Sequence, residues 1–392
     1  MEPSYRVLAR KYRPQMFQDL VGQDALVTLL QNAIRLKRIP HAILLTGVRG
    51  VGKTTTARIL AKAVNCVGPD GEGTEPALEP CGVCPHCCDI VADKHLDVLE
   101  MDAASRTGVE DIRELIDSVK YRPVRSRFKV YIIDEVHMLS RNAFNALLKT
   151  LEEPPPSILF IFATTDAHKI PITVRSRCQR VDLPRVSVAT LAPFLQGIAQ
   201  KEGVSLSESA SRLLGHASEG SVRDSLSLLD QAIALADETG VSEGLVTQML
   251  GLCDVQPLLT LMGHLFAGEV AQALDAFAGL YAKGMDPLML LEDMLRLTHL
   301  LSRAACREAE VMSEQESAFF ETFAPRLSVP MLTRTWQILL KGQSELTLSP
   351  HPERAMEMLI IRLGYVSQIL DIPPTAEGEH QDGAKKKVLM TS

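Results

Sequence analysis

No apolar run in this chain approaches the roughly 20 residues that a membrane-spanning helix needs, so no membrane partner is expected. Residues 1–14 lack the apolar core of a signal peptide, which predicts a cytoplasmic protein in a reducing compartment. No internal repeat is visible. Compositional bias is lacking too: 46% hydrophobic and 23% charged residues exclude wholesale disorder. An excess of positive charge is also missing, since the formal net charge is −7, and this weighs at first against a nucleic-acid partner. That total hides an asymmetry. Residues 1–180 carry a net +4 and residues 181–392 a net −11, so the two halves can serve different partners.

At ~150 residues per domain, 392 residues predict two or three domains. Within 1–181, short β-branched runs alternate with helical patterns. Strands are expected at 42–46, 96–101, 130–133 and 158–163. Helices are expected from Lys53 to about Val64 and from Val109 to Lys120, the latter with Ile112, Leu115, Ile116 and Val119 on one face. A further helix is capped by Ser140 and stops at Pro154-Pro155-Pro156. Strands joined by helical crossovers imply an α/β domain with a parallel sheet covered on both faces. Strand signal stops near 182. Short helices punctuated by Gly203, Gly215 and Gly220 follow to 236, and from about 243 the chain reads as helix throughout. There Ala355, Met358, Leu359 and Leu363, continued by Val366, Ile369 and Leu370, form a stripe read as bundle core. Residues 374–392 lack periodicity and read as a disordered tail.

Gly47-Val48-Arg49-Gly50-Val51-Gly52-Lys53-Thr54 matches the phosphate-binding pattern G-x-x-x-x-G-K-[ST], with Thr55 beside it, between a predicted strand and a predicted helix. Glycines let the loop wrap so that backbone N–H groups face phosphates. Lys53 supplies charge, and the Thr54 hydroxyl is a Mg²⁺ ligand. The apolar run 130–133 ends in Asp134-Glu135, which places Asp134 to hold the Mg²⁺ shell and Glu135 to polarise an attacking water. Thr164-Thr165 follow the next strand, at the edge where a doubly wound sheet binds its ligand.

Five of the eight cysteines lie within 23 residues. Cys66, Cys81, Cys84 and Cys87 offer four thiolates in a compact insertion, 66–88, able to hold a structural tetrahedral Zn²⁺. Cys88 and His86 stand beside them as competing ligands.

Residues 9–14 and 17–23, the run Ile133-Asp134-Glu135-Val136-His137-Met138-Leu139-Ser140, the stretch 145–155, Ala163-Thr164-Thr165-Asp166 and Ser176-Arg177-Cys178 together resemble the gamma/tau subunits of the bacterial DNA polymerase III clamp loader, which are AAA+ ATPases. The resemblance implies an AAA+ domain over 1–181, a helical lid over 182–243 and an all-helical oligomerisation collar over 244–373. It implies Thr165 as a γ-phosphate sensor, Arg223 as a second sensor on the lid, and Arg177 as an arginine finger reaching a neighbour's ATP. Tyr12, Arg13, Leu20 and Val21 would line the adenine pocket, and Cys66, Cys81, Cys84 and Cys87 would hold the zinc. It further implies delta and delta-prime subunits and copies of the same chain as partners in a ring-like pentamer at the replisome. Sliding clamp, primer-template DNA and the polymerase holoenzyme complete that set, with polymerase chemistry on another chain.

Ser105-Arg106-Thr107, ahead of a helix, is the candidate for DNA phosphate contact. Two other readings share the loop at 47–54. A different AAA+ motor, such as a junction-migration helicase, is opposed by the cysteine insertion and Ser176-Arg177-Cys178. A small-molecule kinase is opposed by Glu135 and the all-helical final third. A structural scaffold predicts no ATPase.

Overall fold

A computed structural model describes residues 6–105, 109–236, 240–250, 255–306, 314–324 and 327–370. The chain divides into two units, Met1–Val246 and Thr247–Ser392.

The first unit begins with α1 (Leu8–Lys11) and α2 (Asp24–Arg35) and then alternates strand and helix. Its order is β1 (Ala42–Thr46), α3 (Lys53–Asn65), α4 (Pro85–Val91), β2 (Val98–Asp102), α5 (Val109–Val119), β3 (Lys129–Asp134), α6 (Arg141–Glu152), β4 (Ile158–Thr164), α7 (Ile172–Arg175) and β5 (Gln179–Asp182). The five strands form one sheet in the order β2-β3-β4-β1-β5, every pair parallel. Residues of opposite parity serve opposite faces. Ile43, Leu45, Val130, Ile132, Leu159 and Ile161 pack with α3 on one side. Leu44, Tyr131, Ile133, Phe160 and Phe162 pack with α5 and α6 on the other. Two-sided burial is why these strands read as unbroken apolar runs. Because β4 lies between β1 and β3, the loops that follow these three strands emerge side by side.

Three helices follow: α8 (Val188–Lys201), α9 (Glu208–Ala217) and α10 (Val222–Leu235). Ser187, Ser207 and Ser221 cap them, each accepting a backbone N–H one turn on. α11 (Glu243–Met249) comes next. The second unit holds α12 (Val255–Ala267), α13 (Val270–Ala282), α14 (Pro287–Ala305), α15 (Glu314–Phe323), α16 (Val329–Leu348) and α17 (Pro352–Leu370) around a core that includes Met262, Phe277, Leu297, Leu339 and Leu359. Among the described residues no helix is long and apolar enough to cross a membrane.

Several expectations shift. β2 begins at Val98 rather than Leu96, because Leu96 is exposed and the buried Asp97 is committed elsewhere. Its carboxylate accepts the backbone N–H groups of Val124, Arg125 and Ser126 and so shapes the basic loop 122–128. β5 carried no apolar signal, since only Val181 of its four residues is buried. Gly215 lies inside α9, where a Cβ would meet Val188 Cγ1 at 3.2 Å; it permits close packing on α8 and breaks nothing. In α17 Leu359 and Leu363 are buried as expected and Ala355 packs against the same core, but Met358 is 56% exposed and Met356 and Ile360 take the inward positions instead. The tail 374–392 lies outside the described residues.

Candidate nucleotide site and cysteine cluster

The loop from Gly47 to Gly52 joins β1 to α3, whose first residue is Lys53. Gly50 and Gly52 have φ of +74° and +110°, which turn the backbone so that α3 starts with its N–H groups facing outward. Lys53 is almost fully buried, and its Nζ donates to Gly47 O and Val48 O, both at 2.9 Å. Burial pushes its ammonium below the ordinary lysine range, and the nearby Glu135 and Asp134 oppose that shift. A single buried cation therefore sits between the loop and two carboxylates. Val51 is buried in the core and Arg49 is exposed.

Asp134 ends β3, and its Oδ2 accepts the Thr54 hydroxyl at 2.5 Å. These two oxygens form the hydroxyl-plus-carboxylate pair that a hard divalent cation takes. Glu135 follows in the left-handed region at φ +46°, a conformation that costs a non-glycine residue about 1–3 kcal/mol. Thr165, one residue past β4, holds the glutamate in place. Its backbone N–H and hydroxyl donate to Glu135 Oε2 at 3.2 and 3.1 Å.

The segment 12–21 runs beside this loop. Arg13 Nε donates to Thr55 Oγ1 at 3.2 Å. Tyr12 turns its hydroxyl to Glu202 at the end of α8, which also pairs with Lys11 at 2.8 Å. The Glu202 hydrogen bond raises the Tyr12 phenol to about 12, with burial and the charge of Glu202 adding to it. Leu20 is buried and Val21 half-buried. Arg223, exposed in the first turn of α10, donates its backbone N–H to Gly50 O at 3.1 Å. A Cβ at Gly50 would lie 2.1 Å from Ser221 Oγ, so the loop and α10 meet only because this residue is glycine.

Arg177 stands apart from that group, just past α7. Its guanidinium donates to Thr173 O and to Glu152 Oε1, both at 2.6 Å. Ser105 is exposed, and Arg106 and Thr107 lie outside the described residues.

The Sγ atoms of Cys66, Cys81, Cys84 and Cys87 all lie within 4.8 Å of one another. Four sulfurs about 2.3 Å from a common tetrahedral zinc would stand about 3.8 Å apart, so the donor set suits that ion. Backbone N–H groups already point at two of these sulfurs. Gly68 and Cys81 donate to Cys66, and Cys84 donates to Cys81. Burial raises the Cys66 and Cys87 thiols above their usual range. Burial raises Cys81 as well, yet the N–H groups of Val83 and Cys84 outweigh it and bring this thiol to about 7. Both competing ligands are placed elsewhere. His86 Nδ1 is 2.8 Å from His95 Nε2, and Cys88 is exposed with its thiol on the carbonyls of Gly82 and Val83.

Three family models match along the chain. They are the DNA polymerase III delta subunit over residues 22–187, the clamp loader subunit ATPase lid domain over 191–238, and domain III of subunits gamma and tau over 241–376. The DNA polymerase III subunit gamma of Buchnera aphidicola (subsp. Acyrthosiphon pisum) is 39% identical over 92% of this chain and 99% of that protein. The chain belongs to the DNA polymerase III gamma/tau family. The tau subunits of Salmonella typhimurium and Escherichia coli are 43% and 42% identical over 92% of this chain. The chain spans about half the length of these tau subunits, 55% in each case. A solved structure of the Thermotoga maritima RuvB Holliday junction branch migration motor is similar at a TM-score of 0.45 and 17% identity, covering 65% of this chain and 79% of that one.

In this gamma/tau family member one site residue escaped the sequence reading. His137 Nδ1 lies 2.9 Å from Thr164 Oγ1 and 3.4 Å from Glu135 Oε2. A short 3-10 turn over Val136–Met138 brings it there, and that turn leaves no mark in the sequence.

Proposed function

We propose that this chain is an ATP-hydrolysing motor subunit of the bacterial DNA polymerase III clamp loader. It joins copies of itself and the delta and delta-prime subunits in a ring-like pentamer, opens the sliding clamp and sets it on primed DNA for the polymerase holoenzyme in the cytoplasm. Polymerase chemistry belongs to another chain. The observation that carries this reading is the convergence of Lys53, Thr54, Asp134, Glu135 and Thr165 at one edge of the sheet in a gamma/tau family member. Similarity in sequence to the gamma and tau subunits favours it over a junction-migration helicase.

In this mechanism the loop from Gly47 to Thr55 wraps the triphosphate, and Lys53 exchanges its two carbonyl partners for phosphate oxygens. Thr54 and Asp134 would hold Mg²⁺, which would neutralise charge on the phosphate oxygens. Tyr12, Arg13, Leu20 and Val21 line the base. Glu135 takes a proton from the attacking water, and Thr165 ties that carboxylate to the end of β4, where the γ-phosphate lies. Arg223 brings the lid to the nucleotide. Arg177 supplies positive charge to the ATP of a neighbouring subunit. Ser105 remains the described member of the DNA-contact group Ser105, Arg106 and Thr107. The division into domains at 1–181, 182–243 and 244–373, followed by the tail, is part of the same proposal.

The test is ATP turnover by the assembled loader with primed DNA, with and without clamp. Turnover is expected to rise when both are present. Lys53→Ala is expected to lower it by about 10²–10³ in that subunit, the cost of losing one fixed charge donor. Turnover indifferent to DNA and clamp, or surviving in Lys53→Ala, would sink the proposal.

The four cysteines would hold one structural zinc. Metal analysis is expected to find one zinc per chain. Cys87→Ser is expected to lower metal affinity by more than the roughly 10–100-fold that a lost outer-shell partner costs. Zinc far below one per chain in the purified protein excludes the site.

A further inference from the structure

The insertion between Cys66 and Cys87 touches the nucleotide site only indirectly, yet it holds one end of the segment that lines it. Glu79, half-buried in that insertion, accepts the Phe17 backbone N–H on Oε2 at 3.0 Å and Gln31 Nε2 of α2 on Oε1 at 2.8 Å. One carboxylate thus bridges the segment 12–21 to the helix that follows it. A second tie comes from α3. Lys62, one turn before Cys66 and 2% exposed, donates its Nζ to Gln15 O at 2.6 Å and to Gln15 Oε1 at 3.0 Å. Gln15 Nε2 in turn donates to Arg13 O at 3.1 Å, and Arg13 reaches Thr55 beside the phosphate loop. The insertion is itself pinned. Arg127 donates to Val64 O, Cys66 O and Gly73 O, and Ala77 N–H to Ala63 O.

We infer that the cysteine insertion braces the nucleotide pocket, with Glu79 and Lys62 as positioning residues that fix the segment 12–21 where it meets the base. The inference rests on the nucleotide-site reading above and extends it to a substructure outside that site. The chemistry favours ties of this kind. Hydrogen bonds with a charged partner are roughly twice as strong as neutral ones and hold a fixed direction. Phe17, fully buried, converts the position of its N–H into the position of the neighbouring chain. Metal held by the four cysteines would add a further restraint on the insertion, whose link to the segment 12–21 is Glu79.

The test compares Glu79→Gln and Lys62→Met with the unaltered protein in three measurements: zinc content, amide exchange over residues 15–20, and displacement of a fluorescent ATP analogue by ATP and by tripolyphosphate. Zinc content is expected to stay unchanged while exchange over 15–20 speeds up. ATP affinity is expected to fall about tenfold, the effect of one lost charged hydrogen bond. Tripolyphosphate affinity is expected to hold, because Lys53 and the loop glycines are untouched and the segment 12–21 meets the loop only at its far end, where Arg13 donates to Thr55. General destabilisation would weaken both competitors together, and that outcome overturns the inference. Unchanged exchange or unchanged ATP affinity in both variants overturns it as well. Failure of the underlying reading shows separately, as Lys53→Ala binding the analogue as the unaltered protein does.

Discussion

Glu135→Gln is expected to lower ATP turnover by about 10²–10⁴-fold, the usual worth of a positioned general base, while ATP affinity stays close to that of the unaltered protein. The substitution keeps the shape of the side chain and one acceptor oxygen. Thr165, which donates both its N–H and its hydroxyl to Glu135 Oε2, therefore still has a partner. Backbone strain at φ +46° is the same for either residue, so the site is not relaxed by the change. What disappears is the basic oxygen. Lys53 loses one of the two carboxylates that favour its charged form and keeps Asp134, which is why binding should survive. Single-turnover hydrolysis set beside equilibrium ATP binding separates the two effects. Turnover at the original rate would remove Glu135 from the chemistry. Loss of binding together with turnover would make it a binding group.

The parts of this site that could be read from the sequence are those that burial writes into it. β1, β3 and β4 are covered on both faces, so Ala42–Thr46, Lys129–Asp134 and Ile158–Thr164 stand out as apolar runs, and the polar residues that end them fall at the ligand edge. β5 has one buried residue in four and carries no such mark. Met358 misled for a related reason. An exposed methionine beside Leu359 satisfies a helical stripe as well as a buried one does, and only the packing of α17 shows that Met356 and Ile360 face inward. Glu79, Lys62 and His137 were invisible in another way. Their partners are Phe17, Gln15 and Thr164, between 27 and 62 residues distant along the chain, and no local pattern encodes a contact of that separation. The choice among Cys66, Cys81, Cys84, Cys87, Cys88 and His86 was open for the same reason. Spacing gives reach but not direction, and direction places four sulfurs together and turns the other two groups away.

Arg177→Ala is expected to leave ATP binding nearly intact and to lower the DNA- and clamp-stimulated turnover of the assembled loader by about 10³–10⁵, the range of arginine fingers supplied by a neighbour. In the single chain Arg177 is held by Glu152 and by Thr173 O, and its side chain keeps 33% of its exposure beside a carboxylate that keeps 51%. An ion pair that open to solvent stabilises by about 0–1 kcal/mol. Leaving it for the developing charge of a phosphoryl group in a dry interface is therefore favourable once a neighbour presents one. The pair with Glu152 fixes where the guanidinium waits and exacts little when it moves. A finger acting across an interface also predicts a pattern that one acting within the chain cannot give. The unassembled chain should hydrolyse ATP equally slowly with and without Arg177. In mixed rings, an Arg177→Ala subunit should silence the site of its neighbour and spare its own. Should the unassembled chain lose activity on Arg177→Ala, or the mixed ring lose it in the substituted subunit's own site, the residue acts within its own chain.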